Sequence, residues 1–218
     1  MNVLHTESSL GWGGQELRIL SECDWFNKNY SSIRCRLLVS FGSQIVSRGG
    51  NYSVEIQEAP IAKKTLKAVL HVHYHLRKKQ PDVVVTHSST DSWLVAISSI
   101  FLLKKPVIVR VRHVSAPISG NWLTRWMYNR ATYILTTSNA IRLHVFQELN
   151  IDPSKVDVVP TGLDVFERFK PQNERKKADA RKKFELDDSA IAVGMLSTLR
   201  SWKGHRFALE AISKSKTS

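Results

Sequence analysis

The chain is poor in cysteine, holding only Cys23 and Cys35 among 218 residues. Their spacing matches neither a metal-ligand nor a redox motif, which excludes a disulfide framework and a zinc site as organising features. Both are expected to behave as buried small hydrophobes. Long apolar runs are also missing. The longest, residues 93–103, carries two serines and falls well short of the roughly 20 residues that cross a bilayer. The first nine residues lack a basic segment followed by an apolar core, so no secretory signal is read there and a cytoplasmic protein is expected. GxSxG, HExxH and Walker patterns are absent, which removes the corresponding hydrolase, metalloprotease and P-loop readings. No internal repeat or low-complexity tract occurs.

What the chain has in excess is positive charge, 32 Lys and Arg against 19 Asp and Glu for a formal net charge of +13. Such a surface attracts anions: nucleic acid, anionic lipid headgroups or phosphorylated small molecules. Nucleic acid is the poorest fit of the three, because the basic residues are not interleaved with an aromatic stacking platform and no recognised binding motif appears. One cluster, Arg77-Lys78-Lys79, lies where a helix is expected to end. It fits either complementation of the helix dipole or peripheral contact with an anionic membrane.

Short β-rich runs alternate with helix-length segments, the signature of βα units on a parallel sheet. Strands are expected at 2–6, 34–40, 53–57, 82–87, 107–113, 133–137 and 156–160, with helices at 15–27, 61–79, 92–103, 122–130 and 139–149. Val83-Val84-Val85 and Val107-Ile108-Val109 read as buried strands. The fold class is therefore α/β, a doubly wound parallel sheet. Turn chemistry at Thr161-Gly162-Leu163-Asp164 and Phe169-Lys170-Pro171 then marks a hinge, followed by a charged helix over 173–185. A second βα unit is expected from a strand at 190–197 and a helix at 204–214. This divides the chain into a first lobe at 1–165, a hinge and connector at 166–188, and the opening of a second lobe at 189–218.

Ligands of open parallel sheets bind beyond the carboxyl ends of the strands, and the candidate residues lie there. After the first strand, Gly11-Trp12-Gly13-Gly14-Gln15-Glu16 offers glycines for close backbone approach at a helix start, without the full GxGxxG spacing. The alternative is a flexible turn in which Glu16 complements the helix dipole. His87 follows the fourth strand, and His113 closes Arg110-Val111-Arg112-His113 after the fifth. Ser138-Asn139 is expected as a helix N-cap. Of His71, His73 and His75, only the first and last share a helix face, and no carboxylate completes a metal-ligand set. The stretch Leu196-Ser197-Thr198-Leu199-Arg200-Ser201-Trp202-Lys203-Gly204-His205 brings two cations to a helix start, a pattern suited to a diphosphate.

Five landmarks in this order, GWGGQE, THSSTD, RVRH, VVPTGLD with a following FKP, and LRSWKGH, make the chain resemble the retaining glycosyltransferases of family 4 over about residues 3–212. Within the family it looks most like members acting on lipopolysaccharide and surface polysaccharide. The resemblance implies a GT-B fold of two Rossmann-like lobes, with the acceptor held mainly by the first and the nucleotide-sugar donor by the second. It implies a saccharide or glycolipid acceptor and no metal or other cofactor. By the same resemblance Gly13 and Gly14 approach donor phosphate or acceptor, Glu16 and His87 serve the acceptor, His113 serves the donor sugar or reacting centre, and Arg200 and Lys203 neutralise the diphosphate. Two positions depart from the family pattern: Thr198 stands where an arginine is usual, and Thr161-Gly162 replaces the usual Asn-Gly. The acidic E-x7-E region of the family is not found before Ser218. The expectation is therefore a sugar transferase, or part of one, with little turnover by these residues alone; the alternative is a non-catalytic module binding acceptor or anionic membrane.

Overall fold

The computed structural model describes residues 1–113, 116–163, 165, 170–197 and 199–215. These fall into two compact units, Met1–Gly162 and Leu163–Ser218.

The first unit holds seven parallel strands: β1 (Asn2–Glu7), β2 (Arg34–Ser40), β3 (Glu55–Ala59), β4 (Val83–Thr86), β5 (Val107–Arg112), β6 (Tyr133–Thr136) and β7 (Val156–Val158). Their order is β3-β2-β1-β4-β5-β6-β7. The chain winds outward from β1 to β3, then crosses back to place β4 on the other side of β1. The reversal opens a crevice beyond the carboxyl ends of β1 and β4. Between the strands run α1 (Gly14–Asn29), α2 (Gln44–Arg48), α3 (Leu66–Lys79), α4 (Ser89–Ser98), α5 (Trp122–Asn129) and α6 (Asn139–Leu149).

Each face of the sheet has its own core, as the period of two along a strand requires. Val3, Cys35, Leu37 and Val39 pack with Ile19, Leu20 and Cys23 of α1. Leu4, Val84, Ile108 and Ile134 pack on the opposite face with α3, α4, α5 and α6. The buried thiols are thus part of the first core, as expected of small apolar side chains. The helix beginning expected at residue 61 lies instead at Leu66, where Thr65 accepts a hydrogen bond from the Ala68 amide. Ser138 caps α6 by accepting from the Ile141 amide, 3.3 Å away. The short helix α2 was not foreseen.

The second unit contains α7 (Glu174–Lys183), a 3-10 turn at Ser201–Lys203 and α8 (His205–Lys214). Gly204, between the last two, adopts φ +81°, a left-handed backbone that side chains disfavour. The strand expected at 190–197 does not form: Ile191 is 91% exposed and Leu196 fully so. A strand needs a neighbour to bond its amides, and among the described residues of this unit there is no other strand. Position 198 and most of 164–169 lie outside the described residues, so the departure at Thr198 and much of the expected hinge do too.

Candidate functional site: a histidine file and a cationic crevice

Alternation along β1 points Val3, His5 and Glu7 toward α1, and Leu4 and Thr6 toward α4. His5 is buried, with Nδ1 2.9 Å from His87 Nε2. His87 in turn sets its Nδ1 3.0 Å from Nε2 of His113. The three rings stack in a file, at centroid separations of 5.2 and 5.3 Å. It runs from the interior to the half-buried His113 at the end of β5.

Burial holds the His87 imidazole well below its ordinary range, reinforced by His5, His113, Arg18 and Arg110. His113 is lowered to about 4 by burial and then by Arg18 and Arg110. Both are therefore neutral near pH 7, and a neutral imidazole carries one N–H. His87 must donate at one of its contacts and accept at the other, so the protons of neighbouring rings point the same way along the file. At its inner end, His5, Cys23 and Cys35 each bring a ligand-type atom within 4.8 Å of the others. The Cys35 thiol is lowered, chiefly by hydrogen bonding with Cys23 and further by His5, while burial opposes the shift. Sequence spacing does not reveal this grouping, because it arises from β1, α1 and β2 lying side by side.

Asp91 fixes the position of His87. Its carboxylate accepts from the amides of His87 and Ser88 at 2.9 and 2.8 Å, and from the hydroxyls of Thr6 and Ser88. These bonds form a capping box at the start of α4 and tie it to β1. Burial raises Asp91 despite them. Glu7, fully buried at the end of β1, accepts from the Ser9 amide at 2.8 Å and from the Gln15 side chain. Its carboxyl is pushed up to about 8, first by burial and then by the charge of Asp91.

Along β5, Arg110 and Arg112 share the face of Ile108 and are nine-tenths or more buried. Arg110 donates to the Ser88 carbonyl and the Ser92 hydroxyl and lies 4.5 Å from the centre of the Tyr128 ring. Arg112 donates to the Tyr128 hydroxyl and the Ala116 carbonyl. Both arginines line a cavity of about 410 Å³ with His87, His113, Lys64 and Tyr128. Sequence reading assigned neither arginine a role, since charge in a strand ordinarily reads as surface. Their alternation across Val111 was the available signal.

Of the site residues expected from sequence, the structure brings His87 and His113 into contact. Glu16 is buried in α1, and a Cβ on Gly13 would stand 3.5 Å from its Oε2. Gly13 and Gly14 are exposed at the start of α1. None of these three lines the cavity. Arg200 and Lys203 are exposed in the second unit, flanking the 3-10 turn, where the Lys203 amide donates to the Arg200 carbonyl at 2.9 Å.

Comparison with solved structures gives the class. A glycosyltransferase from Rickettsia africae ESF-5 superposes with a TM-score of 0.79 at 19% identity, covering 98% of this chain and 57% of that one. The lipopolysaccharide outer core galactosyltransferase WaaB, in its apo form, gives 0.58 at 19% identity, with 78% and 50% covered. The fold is that of GT-B glycosyltransferases. A sequence model of glycosyltransferase family 4 matches residues 46–166, more than half of the chain, which therefore belongs to that family. A UDP-Gal:alpha-D-GlcNAc-diphosphoundecaprenol alpha-1,3-galactosyltransferase of Escherichia coli is 28% identical over 158 residues, 68% of this chain. The chain spans 40% of the length of that relative.

Proposed function

We propose that this chain serves the transfer of a sugar from a nucleotide-sugar donor to a saccharide or glycolipid acceptor in cell-surface polysaccharide synthesis, and that its first unit receives the acceptor. The observation that carries the reading is the meeting of His87 and His113 at a crevice beyond the strand ends, in a member of a sugar-transferring family. The Escherichia coli relative is named for an acceptor sugar joined through a diphosphate to undecaprenol. An acceptor of that kind, a sugar on a lipid diphosphate, is the one proposed here. It calls for work at the cytoplasmic membrane face, where the basic surface favours peripheral contact.

In this reading His113 faces the reacting centre, and His87 and Glu16 serve the acceptor. Arg200 and Lys203 attend the donor diphosphate, and Gly13 and Gly14 approach donor phosphate or acceptor. Negative charge grows on that diphosphate as the glycosidic bond breaks, and fixed cations stabilise it most in the transition state. Arg200 and Lys203 take the neutralising part that a metal takes elsewhere, so the proposal includes no metal or other cofactor. Nucleic acid is not among the proposed partners.

The test titrates the 218-residue chain with N-acetylglucosaminyl diphosphate on a short prenyl chain, then adds UDP-galactose and follows galactose transfer. Saturable acceptor binding that His113→Ala weakens supports the reading. Binding without transfer identifies an acceptor-binding module, and absence of both overturns the proposal.

A further inference from the structure

A buried cation is costly unless something negative stands against it. Arg110 and Arg112 are only 4% and 9% exposed, yet every hydrogen-bond partner described for their guanidinium groups is a neutral oxygen, of Ser88, Ser92, Tyr128 or Ala116. Their Nε atoms are buried without a partner among the described residues. Asp91 is close enough to feel the charge of Arg110, but its oxygens accept from Thr6, His87 and Ser88, and among the described residues it makes no hydrogen bond to the guanidinium.

Lys64 adds a third cation, its Nζ 5.2 Å from the centre of the Trp93 ring, and it lines the same cavity. Lys64 is itself exposed, and partial desolvation and then the charge of Arg110 lower it. The positive field also reaches His113, whose proton affinity Arg18 and Arg110 depress. No aspartate or glutamate lines the cavity among the described residues. Pro117, Ile118 and Met127 add apolar lining. At about 410 Å³ the space lies within the range of small-molecule clefts. Paired guanidiniums suit the oxygens of a phosphate, to which they donate in forks, and a diphosphate offers enough of them for three cations.

We propose that this cavity is a diphosphate site, in which Arg110, Arg112 and Lys64 receive the diphosphate of the acceptor while Pro117, Ile118 and Met127 meet the first carbons of its lipid. The inference rests on the acceptor reading above and deepens it. It is separate from the donor-phosphate role given to Arg200 and Lys203, which lie in the other unit.

Inorganic pyrophosphate is the first probe, titrated into the whole chain by calorimetry and followed by NMR at His113. Saturable one-to-one binding that shifts the His113 ring signals is expected. Because Arg110 is buried and its removal endangers the fold, Lys64→Gln is the decisive variant. It should weaken pyrophosphate about tenfold, the size of one charge-assisted hydrogen bond. Lys28→Gln, at the exposed carboxyl end of α1 and not among the residues of the cavity, should change it by less than about twofold, as surface charges outside a site do under salt. Equal losses in both variants, or no shift at His113, overturn the site.

Competition separates the two sources of diphosphate. Farnesyl diphosphate should displace pyrophosphate more effectively than UDP; the reverse order overturns the acceptor assignment. Pyrophosphate bound here while the prenyl-diphosphate sugar neither binds nor is transferred leaves the site standing and the acceptor reading fallen. Acceptor binding that Lys64→Gln leaves unchanged does the opposite.

Discussion

Two stretches of this chain carry the same pattern, an apolar run leading into a helix, and end in different states. Residues 107–112 form a strand between β4 and β6, whereas residues 190–197 form none and leave Ile191, Val193 and Leu196 exposed. The difference is one of company. In the first unit β4 and β6 take up the backbone groups of residues 107–112 within a seven-stranded sheet, and helices cover the apolar faces. A βα unit is a component of a layered core, and its strand is only as stable as the sheet around it.

The largest effect that sharpens this contrast comes from apolar truncation. Leu37→Ala, in the core of the first unit, should cost about 2–5 kcal/mol in urea unfolding. Leu196→Ala should leave the midpoint unchanged. Equal losses would break the comparison by showing that both regions bury their apolar residues alike.

The ionisable groups inside the first unit should set its pH response. For Glu7 the unfolded carboxyl ionises near 4.5 and the folded one near 8. Between those values the folded state holds the extra proton, so stability falls as pH rises. Glu7→Gln should remove that slope and gain about 2–3 kcal/mol at pH 7, read from denaturation at pH 5 and pH 7.

His113 acts in the opposite direction. Its unfolded ring takes a proton near 6.5 and its folded ring only near 4, so its contribution is lost as pH falls through that window. His113→Gln should recover about 1–2 kcal/mol at pH 5. NMR titration of the wild-type ring should show protonation near pH 4, and a midpoint near 6.5 would remove the basis for a closed file. The smallest effect belongs to helix caps: Ser138→Ala should cost about 1 kcal/mol. Asn173→Ala, which removes the cap of α7, should leave the main unfolding transition unmoved, since no residue of α7 is buried.

Much of the first unit was legible because buried parallel strands are written as valine- and isoleucine-rich runs. The expected 34–40 strand and 139–149 helix coincide with β2 and α6. His87 and His113 were legible as histidines just beyond strand ends. His5 was not, since its partners come from β4 and, through the thiols, from α1 and β2. Arg110 and Arg112 were hidden by their context: a basic residue in a strand reads as a solvated face until the helix above it is known. The 190–197 strand was misread because residue pattern reports preference for extended backbone but not whether a second strand is at hand.

The histidine file has a consequence beyond the geometry of the crevice. A guest that requires an N–H from the outer nitrogen of His113 forces His87 and then His5 to reverse, changing what His5 presents to Cys35. A guest that offers its own hydrogen favours the other sense. The choice of hydrogen at the opening is in this way tied to the face that the innermost ring turns to the sulfur.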